Sequence, residues 1–307
     1  MSTVKMEAWP ELPYDQWSDT LATLHRWTQI IGKIRLARMP MMDGWWQVPL
    51  YVTARGLTTS PIPAGDRTFQ LDFDFCAHEF RLEVSNGYAS SMLLYPRSVA
   101  NFYEAVMSLL DAAGLSTTIW PVPVELLEPN PKAFDKDEEH GSYDRDAVQR
   151  WWRILTQIDQ VMKEFSARFV GRISPVQFFW GTFDLSVARY SGRKIAPKPH
   201  TNIIERYAFA MEQEECGFWP GNDKLKAPAF FAFAAPPPAG YAQRPVQPAA
   251  ASFNHELGEF ILLYDAVRRA GDPKQALLDF FSSTYDVGAR PPTWDRAQLD
   301  WQPPALH

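Results

Sequence analysis

Residues 67–94 read RTFQLDFDFCAHEFRLEVSNGYASSMLL, and this stretch decides the fold class. From 67 to 75, apolar and polar residues alternate, as in a strand with one buried face. The alternation resumes at residues 79–84, and Asn86-Gly87 is a strong signal for a hairpin turn. The pattern predicts consecutive antiparallel strands, the last at residues 88–94. Their inward-facing residues are Phe69, Leu71, Phe73, Phe75, Phe80, Leu82 and Val84.

Helices are predicted on both sides of this meander. Apolar residues recur at helical spacing over residues 17–34, and a second helix follows Ser98, a suitable N-cap. A long amphipathic helix is predicted over residues 148–169. Asp272-Pro273 then provides an N-cap and a proline at the first position of a fourth helix. We therefore expect an α+β fold with antiparallel sheets.

The second half of the chain follows the same plan. Two strands are predicted within residues 177–193 and one at residues 257–264. Short matches, in the same order in both halves, predict an internal duplication of a helix–antiparallel meander–helix unit with pseudo-twofold symmetry. The second copy would carry an insertion between Pro199 and Ile261. The matches are Gly32-Lys33-Ile34 with Gly171-Arg172-Ile173, Trp45-Trp46 with Phe179-Trp180, Ala54-Arg55 with Ala188-Arg189, Pro61-Ile62-Pro63 with Pro197-Lys198-Pro199, and Met92-Leu93-Leu94-Tyr95 with Ile261-Leu262-Leu263-Tyr264.

The domain boundaries follow from these repeats and from proline and acidic runs. The predicted division is an N-terminal tail at 1–9, a first repeat at 10–120, a Pro-rich and acidic linker at 121–143, a second repeat at 144–290 with a Pro-rich insertion near 236–248, and a C-terminal tail at 291–307.

Composition and charge restrict the partners and the compartment. The net charge is −6 and no run of Lys and Arg stands out, which argues against nucleic acid and against an anionic membrane surface. Residues 1–9 do not resemble a signal peptide, and the apolar stretch 227–235 is too short to span a bilayer. The two cysteines, Cys76 and Cys216, fit reduced thiols. We expect a cytoplasmic protein.

No motif for a common cofactor is present. The sequence lacks a Walker A loop, a dinucleotide fingerprint, His-Glu-x-x-His and paired Cys-x-x-Cys, so no cofactor is predicted. A metal site remains an alternative if folding assembles imidazoles and carboxylates. His255 and Glu259 fall near one strand, where four positions are too far apart for both to hold one ion. The candidate metal ligands are His200, His255, Glu212 and Glu259.

Two arginines are the principal candidates for a ligand site. Arg55 and Arg189 match between the proposed repeats, and a guanidinium group suits a carboxylate or phosphate. If both line one cleft, the ligand carries an anionic group; alternatively, each arginine braces a turn. The candidate ligand-binding residues are Arg55, Arg189, Trp46, Trp180, Arg193 and Thr58.

Three stretches resemble a bacterial family of uncharacterised proteins, a domain of unknown function. They read WWQVPLYVTARG at 45–56, FFWGTFDL at 178–185 and CGFWPG at 216–221. The resemblance implies no activity, cofactor or catalytic residue, so the functional hypotheses come from the residues. The leading one is a cytosolic protein that binds a small organic ligand in a cleft between the repeats. The alternatives are a hydrolase or metal-dependent enzyme with dispersed His and Glu residues, and a scaffold whose loop 236–248 contacts another protein.

Overall fold

The structure is a computed structural model that describes residues 7–196 and 199–302. Its helices are α1 (Ser18–Arg38), α2 (Val99–Ala112), α3 (Arg145–Ser166), α4 (Ile203–Ala208), α5 (Tyr264–Arg268), α6 (Pro273–Gly288) and α7 (Arg296–Leu299). Its strands are β1 (Tyr51–Val52), β2 (Gly56–Thr58), β3 (Ile62–Ala64), β4 (Arg67–Asp74), β5 (Glu79–Val84), β6 (Ala89–Leu93), β7 (Gln177–Phe179), β8 (Asp184–Lys194), β9 (Met211–Trp219), β10 (Ala229–Ala235), β11 (Ser252–Asn254) and β12 (Glu259–Leu263). The predicted α+β class is confirmed.

The first sheet is the meander that the alternating pattern predicts. Its strand order is β1-β2-β4-β5-β6, with β3 paired to β4, and all these pairs are antiparallel. The register places Phe69 opposite Val84 and Phe73 opposite Phe80. All the residues predicted to face inward are buried, so the period-two pattern identified the core face correctly.

The second sheet has the order β11-β12-β10-β9-β8-β7, again antiparallel throughout. Two of its central strands, β9 and β10, lie in the stretch that the sequence analysis interpreted as an insertion. Both strands are largely buried on both faces. A strand of that kind lacks the alternation of apolar and polar residues that marks a half-buried strand. The absence of this signal explains why β9 and β10 were not predicted.

Predicted helix caps are also present. The Ser98 side chain accepts a hydrogen bond from the Asn101 backbone N–H, and Asp272 accepts one from Gln275 N–H. Helix α1 is buried on nearly all sides. Trp27 of α1 stacks on Phe102 of α2, with ring centroids 4.4 Å apart. None of the described helices combines the length and apolar character needed to cross a membrane.

The two halves share one continuous core. Trp151 of α3 lies at its centre, with its ring 5.8 Å from that of Phe75 in the first half and 5.0 Å from that of Phe183 in the second. The sheets also meet edge to edge, because Leu50 and Phe178 exchange two backbone hydrogen bonds of 2.9 Å. The halves therefore form one body.

The proposed linker at 121–143 packs against this body. Phe134 and Asp137 in this segment are buried. Asp137 pairs with the Arg26 guanidinium at 3.1 Å. The amide of Gln29 in α1 exchanges two hydrogen bonds with the backbone of Val124. The composition of the segment suggested a connector, but its tertiary contacts tie it to α1.

Both halves contain a long helix, an antiparallel sheet and a second helix, in that order. However, some of the short sequence matches pair residues that lie in different kinds of element. Gly32 lies inside α1, whereas Gly171 follows the end of α3. Arg55 lies between β1 and β2, whereas Arg189 lies inside β8. Residues 197 and 198, part of another match, lie outside the described residues. The duplication and the domain boundaries remain predictions.

Candidate functional site

The two candidate arginines have different surroundings. Arg55 is exposed and pairs with the buried carboxylate of Asp74 at 2.5 Å. Arg189 is buried in the core of the second half, with its guanidinium carbon 3.5 Å from the Phe165 ring centroid and 4.3 Å from that of Tyr285. These contacts have no residue in common. The structure therefore does not place the two arginines in one cleft, and Arg55 braces a turn.

Three other candidate residues also have structural contacts. Arg193 pairs with Glu212 at 3.0 Å. Thr58 accepts a hydrogen bond from the Ser60 backbone N–H. The Trp180 indole donates to the Val48 carbonyl oxygen at 2.8 Å, and its ring lies against Gly32 of α1. Trp180 is therefore part of the packing between the halves.

The candidate metal ligands are not assembled. No group of three or more His, Cys, Asp or Glu side chains that could hold a metal ion occurs within residues 7–196 and 199–302. Glu212 is held by the Ser191 hydroxyl as well as by Arg193. The His255 ring packs on Phe253, with centroids 5.1 Å apart. His200 lies in a turn before α4. Glu259 belongs to β12. Because these four residues do not come together as a group of metal ligands, the predicted set does not form one site.

A different group of polar residues lies on the second sheet, on the face turned away from α3 and α6. We call this the outer face. Along β8, Leu185, Val187 and Arg189 point to the core, so the alternate residues Asp184 and Ser186 point outward. On β7, Gln177 lies opposite Ser186 and points outward, and on β12 Glu259 points outward. The outward residues of β9 are Gln213, Glu215, Gly217 and Trp219.

A chain of hydrogen bonds connects several of these side chains. The Thr182 hydroxyl donates to Asp184, and the Ser186 side chain bonds both Asp184 and Glu215. The Gln213 amide N–H donates to Glu215 Oε2 at 3.3 Å. The chain links β8 to β9 across the middle of the sheet.

Other polar atoms on this face have no hydrogen-bond partner among the residues that the structure describes. Gln177 is 1 % exposed, yet neither its amide nitrogen nor its amide oxygen makes a hydrogen bond. Gln213 is 2 % exposed, and its Oε1 is unpaired. The Trp219 indole nitrogen is unpaired as well. Buried polar groups of this kind are costly and uncommon in folded proteins. The unpaired atoms of Gln177, Gln213 and Trp219 share one face of the sheet, where another molecule could satisfy them.

The other half of the outer face is apolar. Ala229, Phe231 and Ile261 form a hydrophobic cluster separate from the main core, and Trp219 and Phe233 pack beside it. Gly217 has no side chain, and a Cβ there would collide with the Phe231 ring. The ring therefore extends over Gly217 toward the polar residues. The outer face is thus aromatic on one side and polar on the other.

Distant segments partly cover the outer face. Tyr190 of β8 is paired with Gln213 and points outward like it. The ring of Trp46, from the first half, lies 6.3 Å from that of Tyr190. The Arg172 guanidinium stacks on both rings and pairs with Asp43. Of the residues that the sequence analysis selected for ligand binding, Trp46 is placed at this face.

A second cover comes from the segment around α4. The Phe209 ring, just after α4, lies 6.1 Å from that of Phe233 on the outer face. The indole nitrogen of Trp45 donates to the Ile204 carbonyl oxygen at 2.9 Å. This bond ties α4 to the first half.

Burial makes the carboxyl groups of this face weak acids. Burial raises the pKa of Asp184 to about 6. Burial and the nearby charge of Asp184 together raise the pKa of Glu215 to about 8 and that of Glu259 to about 7. Burial also raises the pKa of Glu125, whose carboxylate lies over Gly181. Asp184, Glu215 and Glu259 therefore change charge close to neutral pH. Such groups can either donate or accept hydrogen bonds.

None of the outward-facing polar residues on β7, β8 and β9 was predicted from the sequence as a site residue. For β8 a weak signal existed, since Asp184 and Ser186 alternate with Leu185 and Val187. For β9 the strand itself was not recognised, so Gln213 and Glu215 could not be assigned to a face.

Comparison with known proteins gives a match to one family. The model of a family of unknown function matches residues 9–301. Neither a curated protein nor a solved structure matches the chain. The match covers all the residues of the outer face described above.

Proposed function

We propose that this chain, which belongs to the family of unknown function DUF5996, binds a small organic ligand on the outer face of its second sheet. The observation that carries the proposal is the buried amide of Gln177, which has neither a donor nor an acceptor for its polar atoms. A ligand that hydrogen-bonds this amide would remove the energetic cost of burying it.

The surroundings of Gln177 support a small-molecule site. Typical ligand sites combine an apolar, often aromatic, lining with a few polar groups that orient the ligand. Phe231 and Trp219 provide the aromatic lining, and Ser186 and Gln213 are polar groups of the same face. The proposal retains the expected ligand-binding function, but it moves the site from the two arginines to the outer face.

The first test compares two buried glutamines that differ in their hydrogen bonding. Gln29 exchanges two hydrogen bonds with Val124, whereas Gln177 makes none. We expect Gln29→Met to lower the free energy of unfolding by about 1–3 kcal/mol, because it leaves buried backbone groups unpaired. Gln177→Met should leave the ligand-free protein equally stable or more stable. Urea unfolding of dialysed protein measures both.

The second readout is the ligand itself. Native mass spectrometry of protein purified without denaturation should detect a bound small molecule on the wild type and a reduced bound fraction on Gln177→Met. A loss of stability in Gln177→Met equal to that in Gln29→Met would show that the Gln177 amide already has protein or water partners. Retention of the same ligand at full occupancy by Gln177→Met would place the ligand elsewhere. Either result would contradict the proposal.

A further inference from the structure

The outer face is rich in carboxyl groups. Asp184, Glu215 and Glu259 come from three strands. The charges of Asp184 and Glu259 raise the pKa of Glu215, and the charge of Asp184 raises the pKa of Glu259. Glu125 from the segment 121–143 adds a fourth carboxyl near Asp184. An anionic ligand at this face would be repelled by several nearby negative charges.

One positive charge beside this face, that of Arg172, is already engaged. Arg172 is the cation stacked on Trp46 and Tyr190, and it forms an ion pair with Asp43. Tyr190 is the titratable phenol on this side, and burial keeps it neutral by raising its pKa to about 12. Within the described part of the chain, Arg172 therefore forms its ion pair with Asp43 and not with the carboxyl groups of β8, β9 and β12.

The unpaired amide oxygens independently indicate a ligand that donates hydrogen bonds, as a cationic amine does. Gln213 uses its N–H group to donate to Glu215, so the atom left without a partner is the acceptor Oε1. Gln177 Oε1 is a second buried acceptor without a donor. A ligand with several N–H groups would supply the donors that these oxygens lack.

We infer that the ligand is a small organic cation, a protonated amine attached to an apolar group, with its amine among the carboxyl groups and its apolar part on the aromatic side. This inference rests on the proposed function and adds the chemical class of the ligand. Trp219 and Phe231 suit the apolar part, and aromatic rings also attract cations. A metal ion fits less well, because the carboxyls within the described part of the chain do not converge as a group of three ligands.

The assignment predicts a pH dependence of binding. An alkylamine stays protonated up to about pH 10, as lysine does. The carboxyl groups lose their protons as the pH rises through the range of about 6–8. The cation prefers the ionised carboxyls, so binding releases protons and becomes tighter with rising pH. The expected gain is up to about tenfold in affinity per pH unit for each linked proton.

Two probes of similar shape and opposite charge test the inference. Phenethylamine and 3-phenylpropionate are each titrated into the full-length protein at pH 6 and pH 8, with thermal unfolding and calorimetry as readouts. We expect phenethylamine to raise Tm, and to bind at least about tenfold more tightly at pH 8 than at pH 6. We expect 3-phenylpropionate to bind at least about tenfold more weakly than the amine at pH 8.

A matched pair of variants locates the effect. Glu215→Gln removes a carboxyl of the outer face, whereas Glu212→Gln removes one from the same strand that points to the opposite face and pairs with Arg193. Glu215→Gln should weaken phenethylamine binding at pH 8 and flatten its pH profile, while Glu212→Gln should leave both unchanged. The inference would be overturned if 3-phenylpropionate bound more tightly than phenethylamine, or if phenethylamine did not bind at pH 8. An equal effect of the two variants would overturn it as well. The proposed function would fail separately, through the stability and retained ligand of Gln177→Met.

Discussion

Replacing Trp151 with alanine is expected to lower the free energy of unfolding by about 3–5 kcal/mol, the usual cost of removing a large aromatic side chain from a core. Trp151 is fully buried in α3. Its ring contacts Trp17 and Phe75 on one side and Phe178 and Phe183 on the other. The cavity would therefore lie where the two halves meet, and neither half alone could close it.

Urea unfolding followed by tryptophan fluorescence and by circular dichroism measures this effect. Trp120→Ala is the matched control, because Trp120 is 64 % exposed and its ring centroid lies 4.8 Å from Lys33 Nζ at the surface. The control should change the free energy of unfolding by less than about 1 kcal/mol. The wild type should unfold in one transition, since its core is continuous. A change of under 1 kcal/mol in Trp151→Ala, or separate transitions for the two halves, would contradict the shared core.

Replacing Glu214 with glutamine is expected to stabilise the protein at alkaline pH. Glu214 lies on the core face of β9 and is completely buried, and the side chain that hydrogen-bonds its carboxyl group is the uncharged hydroxyl of Thr284. Burial raises its pKa from 4.5 to about 8, although the nearby charge of Arg189 acts in the opposite direction. Burial dominates because no hydrogen bond joins the carboxyl to the Arg189 guanidinium, which donates to the Phe165 carbonyl oxygen.

The sign of the effect follows from proton binding. The folded protein binds the Glu214 proton more tightly than the unfolded chain, so this group stabilises the fold fully below pH 4.5. That contribution is lost as the pH rises to about 8. The loss amounts to roughly 3–5 kcal/mol. Glutamine is neutral throughout, so Glu214→Gln should match the wild type near pH 5 and be more stable by a similar amount at pH 9.

Chemical unfolding at pH 5 and pH 9 provides the measurement, with Glu83→Gln on the exposed side of β5 as the control. The control should stay within about 0.5 kcal/mol of the wild type at both pH values. If Glu214→Gln is instead less stable than the wild type at pH 9, Glu214 is ionised and forms a stabilising ion pair with Arg189. That outcome would contradict the assignment of Glu214 as a neutral acid in the folded protein.

Local patterns in the sequence determined much of the first half. The alternation in β4 and β5, the Asn86-Gly87 turn and the Ser98 cap were all readable, because each depends on residues close together in the chain. The same holds for Asp272, which caps α6. In these places the local preference and the tertiary environment agree, so the sequence alone was sufficient.

Tertiary structure decided which residues form the candidate site. Arg55 and Arg189 matched in sequence, yet one lies in an exposed turn and the other in the core, because Arg55 falls between β1 and β2 whereas Arg189 lies inside β8. The site residues Gln177 and Gln213 gave no local signal. An amide becomes an unpaired, buried group only when strand register sets its face and distant segments exclude water. Those conditions depend on contacts between residues far apart in the chain, and the local sequence around each glutamine does not contain them.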